Sequence, residues 1–199
     1  MGHKFDKRWV ITNMANAITL FGIMLCQLLK LFIFIDTDWI MGILCVAAGV
    51  MVTDWMDGSV ARYFEGKGYK GSVSDFGKAI DRFRDKDFQL TMFLFLIWNP
   101  VVDHRLKFIL YFLVAAEIVL LATLFVAVKK KTDAGATNWG KRKMVTECIV
   151  ILAGLALIAI KKHGISVPLY INYPVIGAAM ASAFFAAMSI RKHVIDCSQ

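Results

Sequence analysis

Long apolar stretches are the feature that most constrains what this chain can fold into. A transmembrane α-helix needs about 20 mainly apolar residues. The 199-residue chain is 58% hydrophobic with a mean hydropathy of +0.61, which is more apolar surface than a soluble domain of this length can bury. The sequence therefore predicts an all-α integral membrane protein with six transmembrane helices, at residues 14–35, 38–63, 76–98, 106–128, 144–160 and 168–190.

The Lys and Arg residues are distributed unevenly between the predicted loops. If the N-terminus is cytoplasmic, Lys30 lies inside the first span, and the non-cytoplasmic side receives only Arg105, Lys107, Lys161 and Lys162. Because cytoplasmic loops of membrane proteins are enriched in basic residues, we expect both termini to be cytoplasmic. The net charge of +8 then faces anionic lipid headgroups, and nucleic acid is not an expected partner.

Few other features mark the chain as a whole. The four cysteines form no CxxC pair, so neither a disulfide nor a zinc site is predicted. Residues 2–12 (GHKFDKRWVIT) mix aromatic and charged side chains, which is typical of a short interfacial helix and equally compatible with a disordered tail. Because no linker or repeat interrupts the chain, we expect residues 1–199 to form one membrane-embedded domain.

An acidic motif, TDWMDGSVARYF, closes the second predicted span. Asp54, Asp57, Gly58 and Ala61 follow the i, i+3, i+4, i+7 spacing that places side chains on one face of an α-helix. This face presents two carboxylates and then two small residues, beside which a ligand or another helix can approach the backbone. The motif therefore indicates a binding surface near the end of this span.

A second acidic motif, SDFGKAIDRFRDK, opens the third predicted span. Gly77, Asp81 and Asp85 are spaced i, i+4, i+8, again along one helical face. Asp81 and Asp85, together with Asp54 and Asp57, would bring four carboxylates to the membrane border. A charged side chain within a membrane segment costs about 2.5–3.5 kcal/mol. Divalent cations would offset this cost, and oxygen ligands suit Mg²⁺ or Mn²⁺. The alternative is that each aspartate pairs with a basic residue or is exposed at a helix end.

The two motifs read D-x-x-D-G-x-x-A-R and G-x-x-x-D-x-x-x-D, which resembles the signature of the CDP-alcohol phosphatidyltransferase family. Fourteen residues separate Arg62 from Gly77, a longer spacer than is usual in that family. We interpret the excess as an insertion in a glycine-rich cytoplasmic loop. A register with the shorter spacer would run through Gly71 and Asp75 to Ala79, and it would lose the last carboxylate.

The resemblance implies an enzyme that transfers a phosphatidyl group from CDP-diacylglycerol to an alcohol acceptor and releases CMP, with membrane lipids as its surroundings. It also implies a magnesium or manganese site, with two ions, at the cytoplasmic side, and Asp85 as the catalytic base. The metal ligands would be Asp54, Asp57, Asp81 and Asp85. The CDP-binding residues would be Asp54, Gly58, Ala61, Arg62 and Gly77.

The acceptor is suggested by a basic segment before the fifth predicted span. Gly140, Lys141 and Lys143 resemble the G-K-x-K-T segment of phosphatidylglycerophosphate synthases, although Met144 stands where that segment has threonine. Lys141, Arg142 and Lys143 would then bind glycerol 3-phosphate. The alternatives are that they are ordinary basic residues of a cytoplasmic loop, or that the acceptor is inositol phosphate, serine or another alcohol.

Other polar residues of the spans have less specific interpretations. Glu117, in the middle of the fourth span, would bind a polar partner helix or contribute to an acceptor pocket. We expect Arg82 and Arg84 to reach lipid headgroups or loops, the alternative being that they approach bound phosphate or neutralise the acidic motifs. Small residues of the last span would support close helix packing or a homodimer seam, namely Gly177, Ala178, Ala179, Ala181 and Ala186.

The first span opens with NMANAITLFGI, which loosely resembles the family's P-N-x-L-T-x-x-R opening. Asn16 and Thr19 match it, whereas Ala15 and Gly22 replace its proline and arginine. Two functions of other classes compete with the enzyme. One is a cation channel or carrier whose intramembrane acids bind the transported ion, and the other is a lipid-binding scaffold without catalysis.

Overall fold

The chain folds into long helices, as its apolar stretches predict. The computed structural model describes residues 7–35, 39–66, 75–130, 138–165 and 168–198, and every regular element within these ranges is helical. A 3₁₀ turn at Leu169–Ile171 precedes the last helix. The α-helices are α1 (Lys7–Ile35), α2 (Ile40–Gly66), α3 (Asp75–Trp98), α4 (His104–Lys130), α5 (Asn138–Lys162) and α6 (Asn172–Ser198).

The helices have the length and the surface of membrane spans. Many large apolar side chains face outward, including Phe34 at 90% and Trp98 at 77% exposure. An apolar surface of this extent is unfavourable in water and is typical of a protein surrounded by lipid. The prediction of an all-α, multi-pass integral membrane protein is confirmed. Five segments within the described ranges are apolar enough to cross a membrane: Ala17–Ile35, Ile40–Val60, His104–Thr123, Asn138–Lys162 and Asn172–Lys192.

The third predicted span, α3, is not among these five segments and has an uneven composition. Its second half, 88–98, is apolar, whereas its first half carries the second acidic motif and several basic residues. This helix is therefore long enough to cross a membrane but has a charged N-terminal half. The residues of the predicted interfacial helix from Lys7 onward form the first turns of α1, and the residues before Lys7 lie outside the described part.

The chain divides into two compact units, Met1–Asp87 and Phe88–Gln199. That residues 1–199 form one domain stays a prediction. In the first unit α1 packs against α2, with Leu29 and Ile43 fully buried. Lys30 of α1, in the middle of an apolar helix, has an ion pair with Asp87 of α3 at 2.6 Å. The first half of α3 is therefore held to α1 by a charge pair.

In the second unit α6 packs against α4 and α5. Its core contains Leu113 of α4, Leu155 of α5 and Ala179 of α6, all with no exposed surface. Gly154 lets α5 approach the second half of α3, because a Cβ added there would lie 3.0 Å from Leu96 Cδ2. Apolar packing thus holds this unit together around the polar residues described below.

The ends of the helices in the second unit have local causes. α3 ends at Trp98, and the next residue, Asn99, precedes Pro100 and therefore disfavours the helical conformation. The Asp103 carboxylate caps α4 by accepting the Arg105 N–H at 2.8 Å. After α5, Gly164 has φ +74°, and the Ile165 N–H bonds to the Ile160 carbonyl at 3.3 Å, which closes the helix in a Schellman motif.

Replacing Gly164 tests this last assignment. Gly164→Ala should lower the free energy of unfolding by about 1 kcal/mol, because a Cβ disfavours the left-handed backbone conformation. Gly49→Ala, within α2, is the matched control, since an added Cβ there makes only an ordinary contact, 3.6 Å from Leu25 Cδ1, and its φ is not positive. The control should be neutral or stabilising. Thermal unfolding in detergent measures both, and equal effects would contradict the assignment.

Candidate active site

The end of α2 presents the first acidic motif. Because α2 is helical throughout this segment, positions 54, 57, 58 and 61 lie along one of its faces, as their spacing predicts. The Asp54 side chain is 26% exposed, and Gly58 is partly buried. The side chains of Asp57, Ala61 and Arg62 lie outside those that the structure describes.

The start of α3 presents the second motif and meets the first. Asp81 and Asp85 lie one turn apart on α3, and one carboxylate oxygen from each lies within 4.8 Å of the others and of one from Asp54. We call these three residues the aspartate cluster. Gly77 lies one turn before Asp81 on the same helix, but its surroundings are outside the described part. Two helices therefore bring together three of the four predicted metal ligands.

The aspartate cluster bears on the two registers that the sequence left open. Asp81 and Asp85, which belong to the register with the long spacer, are the residues that approach Asp54. The side chains of Asp75 and Ala79, which belong to the other register, are not among those described. The geometry therefore supports the reading in which the motif ends in a carboxylate at Asp85.

Arg84 is where the structure departs from expectation. Its side chain is buried, and its Nη2 lies 2.5 Å from Asp54, 2.7 Å from Asp81 and 3.2 Å from Asp85. The prediction that Arg84 reaches headgroups or loops is wrong, because three carboxylates attract this guanidinium into the helix interface. The alternative, that it neutralises the acidic motifs, describes the structure. Arg82, two residues earlier on α3, is partly exposed.

The donor set of the aspartate cluster fits a divalent metal. It offers carboxylate oxygens alone, which are the ligands that Mg²⁺ and Mn²⁺ prefer. The oxygens converge from two different helices, so that one ion could bind all three residues. Their negative charge exceeds the single positive charge of Arg84, and the cluster therefore retains attraction for a cation.

The three predicted acceptor residues have different surroundings. All lie on the first turns of α5, rather than in a loop before it. Lys141 is exposed, and the Arg142 guanidinium lies over the Trp139 ring at 5.4 Å from its centroid. Lys143 is 2% exposed, so it is not an ordinary basic residue of a cytoplasmic loop. Of the three, Lys141 and Arg142 remain at the surface.

Lys143 belongs to a buried ion cluster within the membrane helices. Its ammonium pairs with Glu117 of α4 and, at 3.1 Å, with Glu147 one turn further along α5. Both glutamates have no exposed surface. Of the two interpretations of Glu117, the polar helix partner is the one that this contact supports. Glu147 and the Lys30–Asp87 pair were not predicted, although an intramembrane Lys or Glu calls for an opposite charge.

Removing the lysine of this ion cluster tests its structural role. Lys143→Met removes the ammonium that pairs with two buried glutamates, and it should destabilise the protein by about 3–5 kcal/mol. Lys141→Met, on the same turn but exposed, should change stability by less than about 0.5 kcal/mol. Combining Lys143→Met with Glu117→Gln and Glu147→Gln should recover most of the loss. Thermal unfolding in detergent measures all three, and a single Lys143→Met variant as stable as the control would contradict the role.

Comparison with known proteins assigns the chain to a family. The family described as CDP-alcohol phosphatidyltransferase matches residues 12–190, which covers both acidic motifs and all but the ends of the chain. Neither the curated proteins nor the solved structures include a match to this chain. Transfer of a phosphatidyl group from a CDP-linked donor to an alcohol is the reaction of this family, and it agrees with an aspartate cluster on two membrane helices. The chain is a member of the CDP-alcohol phosphatidyltransferase family.

Proposed function

We propose that this enzyme transfers the phosphatidyl group of CDP-diacylglycerol to glycerol 3-phosphate and releases CMP. The observation that carries the proposal is the convergence of Asp54, Asp81 and Asp85 from two helices, at positions that match the family motif. Membership of the family supports the reaction class, and the basic start of α5 supports a phosphorylated acceptor. Phosphatidylglycerophosphate would be the product.

The aspartates are proposed as the metal ligands. Asp54, Asp57, Asp81 and Asp85 would hold two Mg²⁺ or Mn²⁺ ions, and the aspartate cluster supplies three of these carboxylates. Bound ions would neutralise the diphosphate of the donor and stabilise charge developing at the phosphorus.

The residues beside the aspartates are proposed to bind the CDP group. Gly58, Ala61 and Gly77 carry little or no side chain, so a nucleotide could lie close to the helix backbones. Arg62 would donate to a phosphate oxygen through its planar guanidinium. These roles follow the motif, since the small residues stand one helical turn from the acidic ones.

Asp85 is proposed as the general base. The acceptor hydroxyl oxygen forms a bond to the phosphatidyl phosphorus while the bond from that phosphorus to the CMP oxygen breaks. The hydroxyl proton passes to the Asp85 carboxylate, and CMP leaves as the phosphate monoester. Asp85 suits this role because its side chain is 20% exposed, so that it lies in the cluster but remains accessible.

Lys141 and Arg142 are proposed to bind the acceptor phosphate. Both are exposed on the first turn of α5, where their charges can meet a phosphorylated alcohol. Lys143 was predicted to join them, and its pairing with Glu117 and Glu147 favours an indirect contribution, through the position of α5. A neutral or zwitterionic acceptor such as serine would have less use for this charge.

The orientation and assembly of the protein complete the proposal. The distribution of basic residues supports cytoplasmic termini and an active site at the cytoplasmic side. Gly177 of α6 is exposed and has nothing within 4 Å of an added Cβ, and Ala181 follows one turn later. This row of small residues leaves room for the close approach of a second copy, as in a homodimer.

The catalytic assignment is tested by CMP release from CDP-diacylglycerol with Mg²⁺ or Mn²⁺ across a panel of acceptors. Glycerol 3-phosphate should give the fastest release. Asp85→Asn should lower kcat by about 10²–10⁴-fold, because it removes the base but keeps the shape of the side chain. Asp103→Asn is the matched control, since Asp103 is not part of the aspartate cluster and an asparagine can still cap α4 as the Asp103 carboxylate does.

The outcomes of this assay separate the competing functions. If CMP release requires metal and one acceptor and is lost only in Asp85→Asn, the proposed reaction holds. If no acceptor gives CMP with a folded, metal-binding protein, the enzyme proposal fails. Ion flux across vesicles would then identify a channel or carrier, and lipid binding without flux would identify a scaffold.

The acceptor site is tested by steady-state kinetics. Removing the charges of Lys141 and Arg142 together, as Lys141→Gln with Arg142→Gln, should raise KM for glycerol 3-phosphate by about tenfold, since a charged hydrogen bond contributes about 1.5–3 kcal/mol. KM for CDP-diacylglycerol should not change. The doubly substituted Lys161→Gln and Lys162→Gln variant, at the other end of α5, controls for loss of charge. A rise in both KM values would point to a general electrostatic effect instead.

A further inference from the structure

The Arg84 side chain is in the centre of the aspartate cluster. A single nitrogen, Nη2, lies 2.5–3.2 Å from carboxylate oxygens of Asp54, Asp81 and Asp85. These are the same three residues whose oxygens lie close enough together to hold one metal ion. The guanidinium and a divalent cation would therefore use the same ligands.

Gly22 of α1 makes the space for this guanidinium. A Cβ added at Gly22 would lie 2.8 Å from Arg84 Nη1, 3.1 Å from Arg84 Cδ and 3.2 Å from Thr53 Oγ1. The Thr53 hydroxyl donates its hydrogen bond to the Val50 carbonyl of its own helix, at 2.7 Å. The backbone of α1 thus forms one wall of the Arg84 site, and any side chain at position 22 would compete with the arginine for room.

The arginine is bound at one end only. Its Nε and Nη1 are buried and have no hydrogen-bond acceptor among the described residues. Buried donors without acceptors are unfavourable, because they have lost their bonds to water. The attraction of three carboxylates for Nη2 therefore holds the side chain in surroundings that do not satisfy the rest of the guanidinium. A cation that took over the carboxylates would remove the reason for its burial.

We propose that Arg84 is an internal counter-cation that competes with the divalent metal for Asp54, Asp81 and Asp85 and thereby sets the metal affinity of the site. The inference rests on the proposed function, because it takes these aspartates as the metal ligands. An ion bound by oxygens of all three residues would need the space between them that Nη2 now occupies. Arg84 has to move for the ion to bind all three residues, and its flexible stem permits this.

Direct binding of Mn²⁺ to the purified full-length protein tests the competition. Free Mn²⁺ is measured by electron paramagnetic resonance in detergent, without CDP-lipid or acceptor. Arg84→Gln should bind Mn²⁺ about tenfold more tightly than the unsubstituted protein, because the competing cation is gone. In metal-free buffer the same variant should unfold at a lower temperature, because the cluster has lost its counter-charge.

Two further variants separate a local contact from a general effect of charge. Arg82→Gln removes the same charge from a neighbouring, partly exposed position of α3, and it should leave Mn²⁺ affinity within about twofold. Gly22→Ala keeps the arginine but forces its Nη1 aside, and it should tighten Mn²⁺ binding, although less than Arg84→Gln. This variant also carries the test if Arg84→Gln does not fold.

Unchanged or weaker Mn²⁺ binding by Arg84→Gln would overturn the proposal, as would equal tightening by Arg82→Gln. CMP release by the unsubstituted protein, measured in parallel, distinguishes this failure from failure of the proposed function. If the enzyme is active but its Mn²⁺ affinity does not depend on Arg84, the counter-cation proposal fails and the proposed reaction stands. If Arg84→Gln binds Mn²⁺ more tightly but the unsubstituted protein releases no CMP, the proposed reaction fails and the counter-cation proposal stands.

Discussion

The cost of placing charge inside a bundle of apolar helices is the constraint on which the structure depends. Lipid offers no partner for an ion, so each buried charge has to meet its opposite within the protein. Arg84 meets three aspartates, Lys143 meets two glutamates, and Lys30 meets Asp87. These contacts join α1 or α2 to α3 in the first unit and α4 to α5 in the second. The helices of the proposed active site are therefore held in place by charge as well as by apolar packing.

Much of the fold could be predicted because helix periodicity and apolar length are local properties of the sequence. The spacing of Asp54 with Gly58, and of Asp81 with Asp85, predicts two acidic helical faces without any knowledge of how the helices pack. That the faces meet was an inference from the cost of unpaired carboxylates, and the structure brings three of the four residues together. The fourth, Asp57, has no described side chain, and metal binding by any of the four stays a prediction.

What could not be predicted depends on contacts between distant residues. The Arg84 side chain occupies space that is open because residue 22 of α1 is a glycine. The local sequence of α3 carries no information about which residue of α1 it will face. Gly22 stands where the P-N-x-L-T-x-x-R segment of the family has its arginine. In this chain the guanidinium of Arg84 lies next to Gly22. Lys143 was misplaced for a similar reason. Its neighbours Lys141 and Arg142 are at the surface, whereas Lys143 is buried and pairs with Glu117 of α4, a contact between residues distant in sequence.

The contact between Gly22 and Arg84 also restricts the order in which this sequence can change during evolution. A larger residue at position 22 meets the arginine at once, whereas the loss of the arginine leaves three aspartates without their counter-charge. A new cation on α1 has room only when the residue at position 84 is small, whereas a small residue at position 84 lowers stability unless a cation on α1 replaces the charge of Arg84. The two positions are thus epistatic, and substitutions at them are expected to occur as pairs rather than singly.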